Sequence, residues 1–406
     1  MDKRLPVGEF VALTALMFSL IAYGTDAMLP ALPLMAADLG SDVTRTQLVI
    51  GVFILGTGAG QLIAGPLSDA AGRKPVLLGG FALFALGGIW ASQAGSLDAM
   101  LLARFVQGLG VSAPRTVGMA MVRDLYSGRV MARVISLAMM AFVIVPALAP
   151  FLGQWIMLRL GWQAIYLSCT VIGLFAASWL WLRQGETHAP ERRRPMRAGP
   201  MLDAVGQVVR SRRAAISTLV LTLIYAMIFA YLSSAQQVFV DWLDTGARFP
   251  AYFAVIAMVS GTASALNAAL VVRIGMWRLA TVGMGLVALG SFAAALTTAT
   301  GLATGIELWL FMGWSILLFF LAGIIFSNMN ALAMEPMGHI AGSASAVIGA
   351  TSTVGSVLIA VPIGQAYNGT GLPLILGVGT ASALAFGANL LNPREVPLAP
   401  GAEASG

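Results

Sequence analysis

The sequence predicts an all-α polytopic membrane protein with twelve transmembrane helices in two six-helix bundles. Three observations carry that prediction. Of 406 residues, 58% are hydrophobic and only 10% are charged, whereas a soluble domain needs about 25% charged residues to face water. The apolar residues fall into continuous runs of about 20 residues, the length of a membrane-spanning helix, and not into the alternating ten-residue segments of a membrane barrel. A single long polar break divides the runs into six and six.

The twelve runs have cores near 10–34, 46–68, 75–95, 98–122, 131–157, 162–183, 214–240, 249–272, 278–299, 305–332, 341–366 and 371–391. The first is too long for a cleaved signal peptide and contains Pro30 and Pro33, with no small-residue cleavage site. Between the sixth and seventh runs lies a segment containing Pro190, Glu191 and the basic stretch Arg192–Arg194. Its charge and proline make it a linker. The predicted units are an N-terminal bundle (1–183), a cytoplasmic linker (184–212), a C-terminal bundle (213–392) and a short tail (393–406).

With the N-terminus placed in the cytoplasm, eighteen of the 23 lysines and arginines fall on the cytoplasmic face and three (Arg45, Arg159, Arg248) on the opposite face. Such asymmetry orients a membrane protein and predicts both termini inside. The net charge of +6 then reflects an anionic lipid leaflet and needs no nucleic-acid partner. The lone cysteine, Cys169, can form no intramolecular disulfide, and His188 and His339 offer no metal-ligand spacing. No cofactor or metal is expected. With no catalytic dyad and no nucleotide-binding loop, a membrane enzyme is disfavoured and transport would run on a gradient. Paired bundles place a substrate site near the membrane midplane, between the two halves.

Charges inside apolar runs cost on the order of 2.5–3.5 kcal/mol and usually line an aqueous path. Asp26 and Arg104 both lie about 9–11 Å from the outer ends of their helices, so an Asp–Arg pair is expected as the proton-coupling site. Arg115 follows Arg104 by eleven residues and returns to the same helix face. With Gln107 and Gly108 between them, it suggests a cavity wall. Tyr23, one turn before Asp26, should share that cavity, and Tyr231 and Gln236 are further polar candidates. Tyr225, Asn267, Asn328 and Asn330 read equally well as hydrogen-bonding glue between helices.

The segment from Gly65 to Pro75 contains Leu67, Asp69, Gly72, Arg73 and Lys74. Gly72 allows the positive φ of a tight turn, and Pro75 suits the first turn of the next helix. Asp69 would sit at a helix C-terminus, where the macrodipole disfavours an anion. It therefore calls for partners: Arg73 and Lys74, or the N-terminus of the eleventh helix. This segment resembles the G-x-L-x-D-x-x-G-R-[RK]-P signature of the major facilitator superfamily and matches it at every specified position. The second-half counterpart, Val272–Arg278, keeps only basic residues and one glycine.

Four further segments narrow the resemblance: Thr25–Pro33, Ala103–Gly110 with Val122–Leu125, Pro146–Gly153 including Pro150, and Met334–Pro336 with Gly342–Ala346. Together they are similar to the bicyclomycin-resistance type of multidrug:proton antiporter. That resemblance implies the major facilitator fold and export of small, largely apolar or cationic molecules in exchange for protons, by one chain acting alone in a bacterial inner membrane. It also implies a conformational latch at Gly65, Asp69, Gly72, Arg73, Lys74, Arg123 and Asp124, and a packing role for Pro146, Pro150 and Gly153. Ala149 and Gln154 stand where the antiporter pattern has glycine, and Phe18 where some relatives have a second acid. The alternative reading is an exporter or importer of one metabolite.

Overall fold

The computed structural model describes residues 5–193, 198–302 and 304–393. Lys3 and Arg4, Arg194 and Arg197 in the linker, and the tail beyond Pro393 lie outside the described residues. Helices account for nearly all of the rest, as twelve spans. The first six are α1 (Val7–Asp26), α2 (Leu48–Ala71), α3 (Arg73–Ser92), α4 (Leu97–Leu125), α5 (Gly128–Leu160) and α6 (Gln163–Arg183). They are followed by α7 (Arg212–Gln237), α8 (Phe249–Gly261 continuing as Ala263–Ile274), α9 (Met276–Ala299), α10 (Glu307–Met334), α11 (Ala341–Gln365) and α12 (Leu372–Leu390). A separate helix, Ala198–Arg210, runs through the linker. Each predicted run coincides with one span and most boundaries shift by only a few residues, but the first run, read as 10–34, is continuous helix only to Asp26.

The helix ends follow from local chemistry. Ser96 and Ser211 cap α4 and α7, accepting from the backbone N–H of Ala99 (3.3 Å) and Ala214 (3.4 Å), as N-cap serines do. The α2–α3 and α8–α9 turns each pivot on one glycine with positive φ, Gly72 at 104° and Gly275 at 87°, a region that other residues enter only at a cost. These two turns occupy equivalent places in the two halves although their sequences have diverged. In α1 the ladder breaks where Pro30 and Pro33 lack the N–H groups that would bond to Asp26 and Leu29. The chain continues as a tight turn, Leu29–Ala31, and a short helix, Leu32–Asp38. Asp26 is therefore the last residue of α1 before this break.

Within the first half α2 packs on α4, α4 on α3, α3 on α6, and α1 on α4, α5 and α6. Each contact recurs six helices later: α9 packs on α10 and α12, α8 on α10, and α7 on α10, α11 and α12. The halves meet along α2 with α11 and α5 with α8, which are also equivalent pairs. The core is built of small residues that let backbones approach, as helix packing in lipid requires. Gly56 and Gly108 are held so close across the α2–α4 seam that a Cβ on either would lie 2.3 Å or 2.1 Å from a carbonyl oxygen of the other helix.

Among the described residues, the hydrogen bonds between the halves gather at one end. Far from the chain termini, Gln365 donates to the Thr44 carbonyl (2.6 Å), Gln237 donates to the Thr44 hydroxyl (3.3 Å) and Gln47 donates to the Gln237 side-chain oxygen. Along the α2–α11 seam, Gly51 lies against Val361, Gly58 against Val354 and Thr353, and Gly349 against Gln61. Two turns nearer the terminal face, the open side of Gly65 has only Thr116 of its own half within 4 Å. The two bundles thus diverge toward the face that carries the linker.

Candidate functional site

A cavity of about 330 Å³ lies between the halves, beneath the closed end. Ile21, Thr25 and Asp26 of α1, Thr57 and Gln61 of α2, Arg115 of α4 and Pro146 of α5 form one wall. The opposite wall is aromatic: Tyr225 and Phe229 of α7 and Phe326 of α10 line it. Tyr225 stacks on Phe229 (centroids 5.5 Å apart) and meets Phe326 edge-on at 5.1 Å. Among the described residues, Asp26 and Arg115 are the charged members of the lining.

Asp26 is 3% exposed, and its Oδ1 is buried without a hydrogen-bond partner. The break in α1 is what turns this carboxylate toward the cavity. The expected direct pair with Arg104 is not formed. Arg104 is fully buried and donates through Nη2 to the Gly24 carbonyl (2.9 Å), through Nε to the Val49 carbonyl (3.2 Å) and through Nη1 to Gln107 Oε1 (2.6 Å). Its guanidinium also lies 4.1 Å from the Phe53 ring centroid. It thereby ties α1, α2 and α4 together two residues from Asp26. The equal depths read from the sequence placed both groups near one level, but Asp26 faces the cavity while the guanidinium is turned into the α1–α2–α4 junction, onto the carbonyls of Gly24 and Val49 and the side chain of Gln107.

Arg115 shares a helix face with Arg104 but lies about 16 Å further along α4. Only Arg115 reaches the cavity, because α1 and α2 close over α4 at the level of Arg104. The same closure buries Gln107 and Gly108 away from the cavity. Tyr23 shares its hydroxyl hydrogen with Ser168 Oγ at 2.7 Å, turned toward α6 because three residues from Asp26 leave it about 60° off that face. Tyr231 donates to Ser315 Oγ (2.9 Å) within a cluster formed by Phe311, Trp314 and Phe319, in the core of the second half. Gln236 is buried near the closed end. These five expected wall residues are packing residues in this conformation. Tyr225, Phe229, Phe326, Thr25 and Gln61 take their place. The aromatic i, i+4 spacing of Tyr225 and Phe229 is the one local signal that marks them in the sequence.

Pro146 lines the cavity, and Pro150 is buried one turn beyond. Gly153 packs on the break in α1, where a Cβ would lie 1.7 Å from the Ala27 carbonyl oxygen. Asn328 of α10 donates to Asn267 Oδ1 of α8 at 2.8 Å, the glue expected of such residues.

On the linker face, Arg73 pairs with Asp69 and donates to Ser68 Oγ (2.7 Å) and to Asp124 Oδ2 (2.9 Å). Lys74 Nζ donates to the carbonyls of Trp181 (2.9 Å) and Gln184 (2.7 Å). Glu186 accepts from the backbone N–H groups of Arg73 (2.9 Å) and Lys74 (3.1 Å), a carboxylate at the N-terminus of α3, where the helix dipole favours it. Nothing local in the sequence marks Glu186 for this contact, because Arg73 and Lys74 lie more than 110 residues away. Arg123 is exposed and stands outside this network. Asp69 is half exposed and held within its own half, so the bond expected to the start of α11 is not made while the bundles are apart at this face.

Two pseudo-repeated six-helix bundles around a shared cavity define a multi-pass membrane transporter working by alternating access, not an enzyme. The chain belongs to the Major Facilitator Superfamily, whose family model matches residues 14–360. It is 30% identical over 359 residues to an uncharacterized MFS-type transporter, YdgK, of Bacillus subtilis, covering 85% of this chain and 86% of that protein. It is 25% identical to a bicyclomycin resistance protein homolog of Haemophilus influenzae over 95% of this chain and 97% of that one. With the multidrug resistance protein MdtL of Klebsiella pneumoniae it shares 32% identity over 58% of this chain and 60% of that one. The partially occluded inward-open xylose transporter XylE of E. coli superposes with a TM-score of 0.70 at 13% identity, covering 94% of this chain and 96% of XylE, a likeness of fold.

Proposed function

We propose that the protein exports small, largely apolar or cationic organic molecules, drugs among them, in exchange for protons across a bacterial inner membrane. The observation that carries this reading is Asp26, a buried carboxylate with an unpartnered oxygen in a cavity built by both halves. An acid so placed has no fixed countercharge on that oxygen, and a proton or a substrate cation can supply what it lacks. Alternating access presents it to each side of the membrane in turn. The resistance functions in the names of the relatives from Haemophilus influenzae and Klebsiella pneumoniae point the same way.

In this reading residues 1–183 and 213–392 are the moving units, 184–212 joins them, and one chain suffices. The excess of basic residues on the linker face supports placing both termini in the cytoplasm, which makes the conformation described above inward-facing. The Asp69–Arg73–Asp124 cluster would then close against the second half when the cavity turns outward.

The test is Asp26→Asn in proteoliposomes and in a pump-deficient bacterium. It should abolish drug movement driven by a pH gradient while leaving downhill exchange of substrate. An unchanged pH-driven flux would remove Asp26 from the coupling.

A further inference from the structure

The linker carries an apolar surface that the cavity does not use. Its helix, Ala198–Arg210, packs on α7 and α11. Ala204 and Val208 are buried, and His339, just before α11, donates through Nε2 to Gln207 Oε1 at 2.7 Å. The neighbouring strip is equally apolar and is open. Leu202 and Val209 are each 68% exposed and Val205 is 40% exposed. At about 100° per residue these three fall within about 60° of one another, beside the docked edge. Asp203 and Arg210, both exposed, lie on the far side, so the apolar and polar halves of the helix oppose each other.

Its level in the molecule follows from the chain. Only Ser211 separates the helix from α7, so its last turn lies where α7 leaves the bilayer. At the other end of the linker, Trp181 is exposed at the end of α6, in the interfacial position that tryptophan favours. Arg210 and Arg212 are exposed and make no hydrogen bond or ion pair among the described residues. An amphipathic helix at a membrane surface sinks its apolar side to the acyl boundary, and its basic residues draw anionic headgroups. The rim of the first half is a poorer match. It carries Arg123, Arg129 and Arg133, and its Asp69 and Asp124 are already paired with Arg73.

We infer that the linker helix is a docking surface for anionic phospholipid of the cytoplasmic leaflet. Leu202, Val205 and Val209 enter the acyl boundary, and Arg210 and Arg212 hold the phosphate-bearing headgroups. The choice of leaflet rests on the orientation proposed above, whereas the lipid contact itself does not.

The experiment uses the full chain with Cys169→Ala, in nanodiscs of mixed phosphatidylcholine and phosphatidylglycerol. One cysteine at a time, Leu202→Cys, Val205→Cys or Asp203→Cys, carries a nitrobenzoxadiazole fluorophore. Quenchers are iodide in the water and a doxyl group on the upper acyl chain of one lipid or the other. Leu202→Cys and Val205→Cys should be quenched by doxyl lipid and shielded from iodide, and Asp203→Cys should show the reverse. A basic residue at an anionic surface is worth about fivefold in binding, so doxyl-phosphatidylglycerol should quench Val205→Cys at least about twice as strongly as doxyl-phosphatidylcholine. That preference should vanish in Arg210→Gln/Arg212→Gln and persist in Arg210→Lys/Arg212→Lys. Iodide quenching at both apolar positions overturns the inference, because the strip then faces water. Shielding from both quenchers overturns it too, because protein then covers the strip. Lipid quenching without the headgroup preference, or a preference that outlives both arginines, overturns the assignment to anionic lipid. Orientation is tested separately by labelling Asp203→Cys in intact cells. Reaction with an impermeant reagent from outside would overturn the assignment to the cytoplasmic leaflet, together with the inward-facing reading, and would leave the quenching result standing.

Discussion

Arg104 shows how a single buried residue can tie several helices together beside a cavity it does not line. Its three donors satisfy the Gly24 and Val49 carbonyls and the Gln107 side chain at a point where no water reaches. Each acceptor left without a partner there costs about 1–3 kcal/mol. Arg104→Ala should therefore lower the apparent unfolding midpoint in detergent by several degrees and abolish transport. Arg104→Lys should recover little, because a point-like ammonium cannot serve three acceptors spread over a planar fork. Tryptophan-fluorescence melting curves check this, and a Lys variant as stable as the parent would refute it. Asp26 then depends on Arg104 through the backbone of α1, which Arg104 holds at Gly24.

Among the elements, α1 and α5 form the joint on which the site depends. Pro30 opens the α1 ladder at Asp26, and Ala31 bonds back to Met28 (2.9 Å), leaving the Ala27 carbonyl for a neighbour. Gly153 of α5 lets that neighbour come close. Gly153→Ala forces a backbone–backbone collision, since its Cβ would meet Ala27 at 1.7 Å, and overpacking of this kind costs about 1–3 kcal/mol or more. Gly79→Ala on α3, where nothing lies within 4 Å, is the matched control and should be neutral or slightly stabilising. Equal melting temperatures for the two variants would show that α5 yields freely and that the joint is not tight.

At the scale of the whole molecule, the closed end is held by neutral carboxamides and a threonine, whereas the open, linker-side end carries the charged cluster. Gln47, Gln237, Gln365 and Thr44 do not titrate, so external pH does not act on this closure directly. Gln237→Leu removes both a donor and an acceptor from the seam and should populate the outward-open form. In a background with Cys169→Ala, a Thr25→Cys probe in the cavity should then react with an impermeant maleimide from outside at least about twice as fast. That ratio needs a population shift of only about 0.4 kcal/mol. An unchanged rate would mean that the α2–α11 and α5–α8 seams close that end without help from the glutamines.

What the sequence determined by itself is whatever depends on lipid and on local backbone chemistry. Twelve apolar runs, a polar linker after the sixth, a basic face and the glycine turn at Gly72 all follow from solvent matching and φ preferences; among the described residues the structure has a helix at each run and the positive-φ turn at Gly72. The candidate acid was also readable, because an isolated carboxylate in an apolar run is costly wherever the chain puts it. Only the tertiary structure decided what that acid faces. Helical periodicity assigns Arg104 and Arg115 to one stripe, but the inclination of the two bundles closes the stripe at one level and opens it at the other. Arg104 thus becomes a strut, and Arg115 a wall of the site. The aromatic wall comes from α7 and α10, some 200–300 residues along the chain from Asp26. It meets Asp26 only because the two halves associate, and no local pattern in either half encodes that meeting.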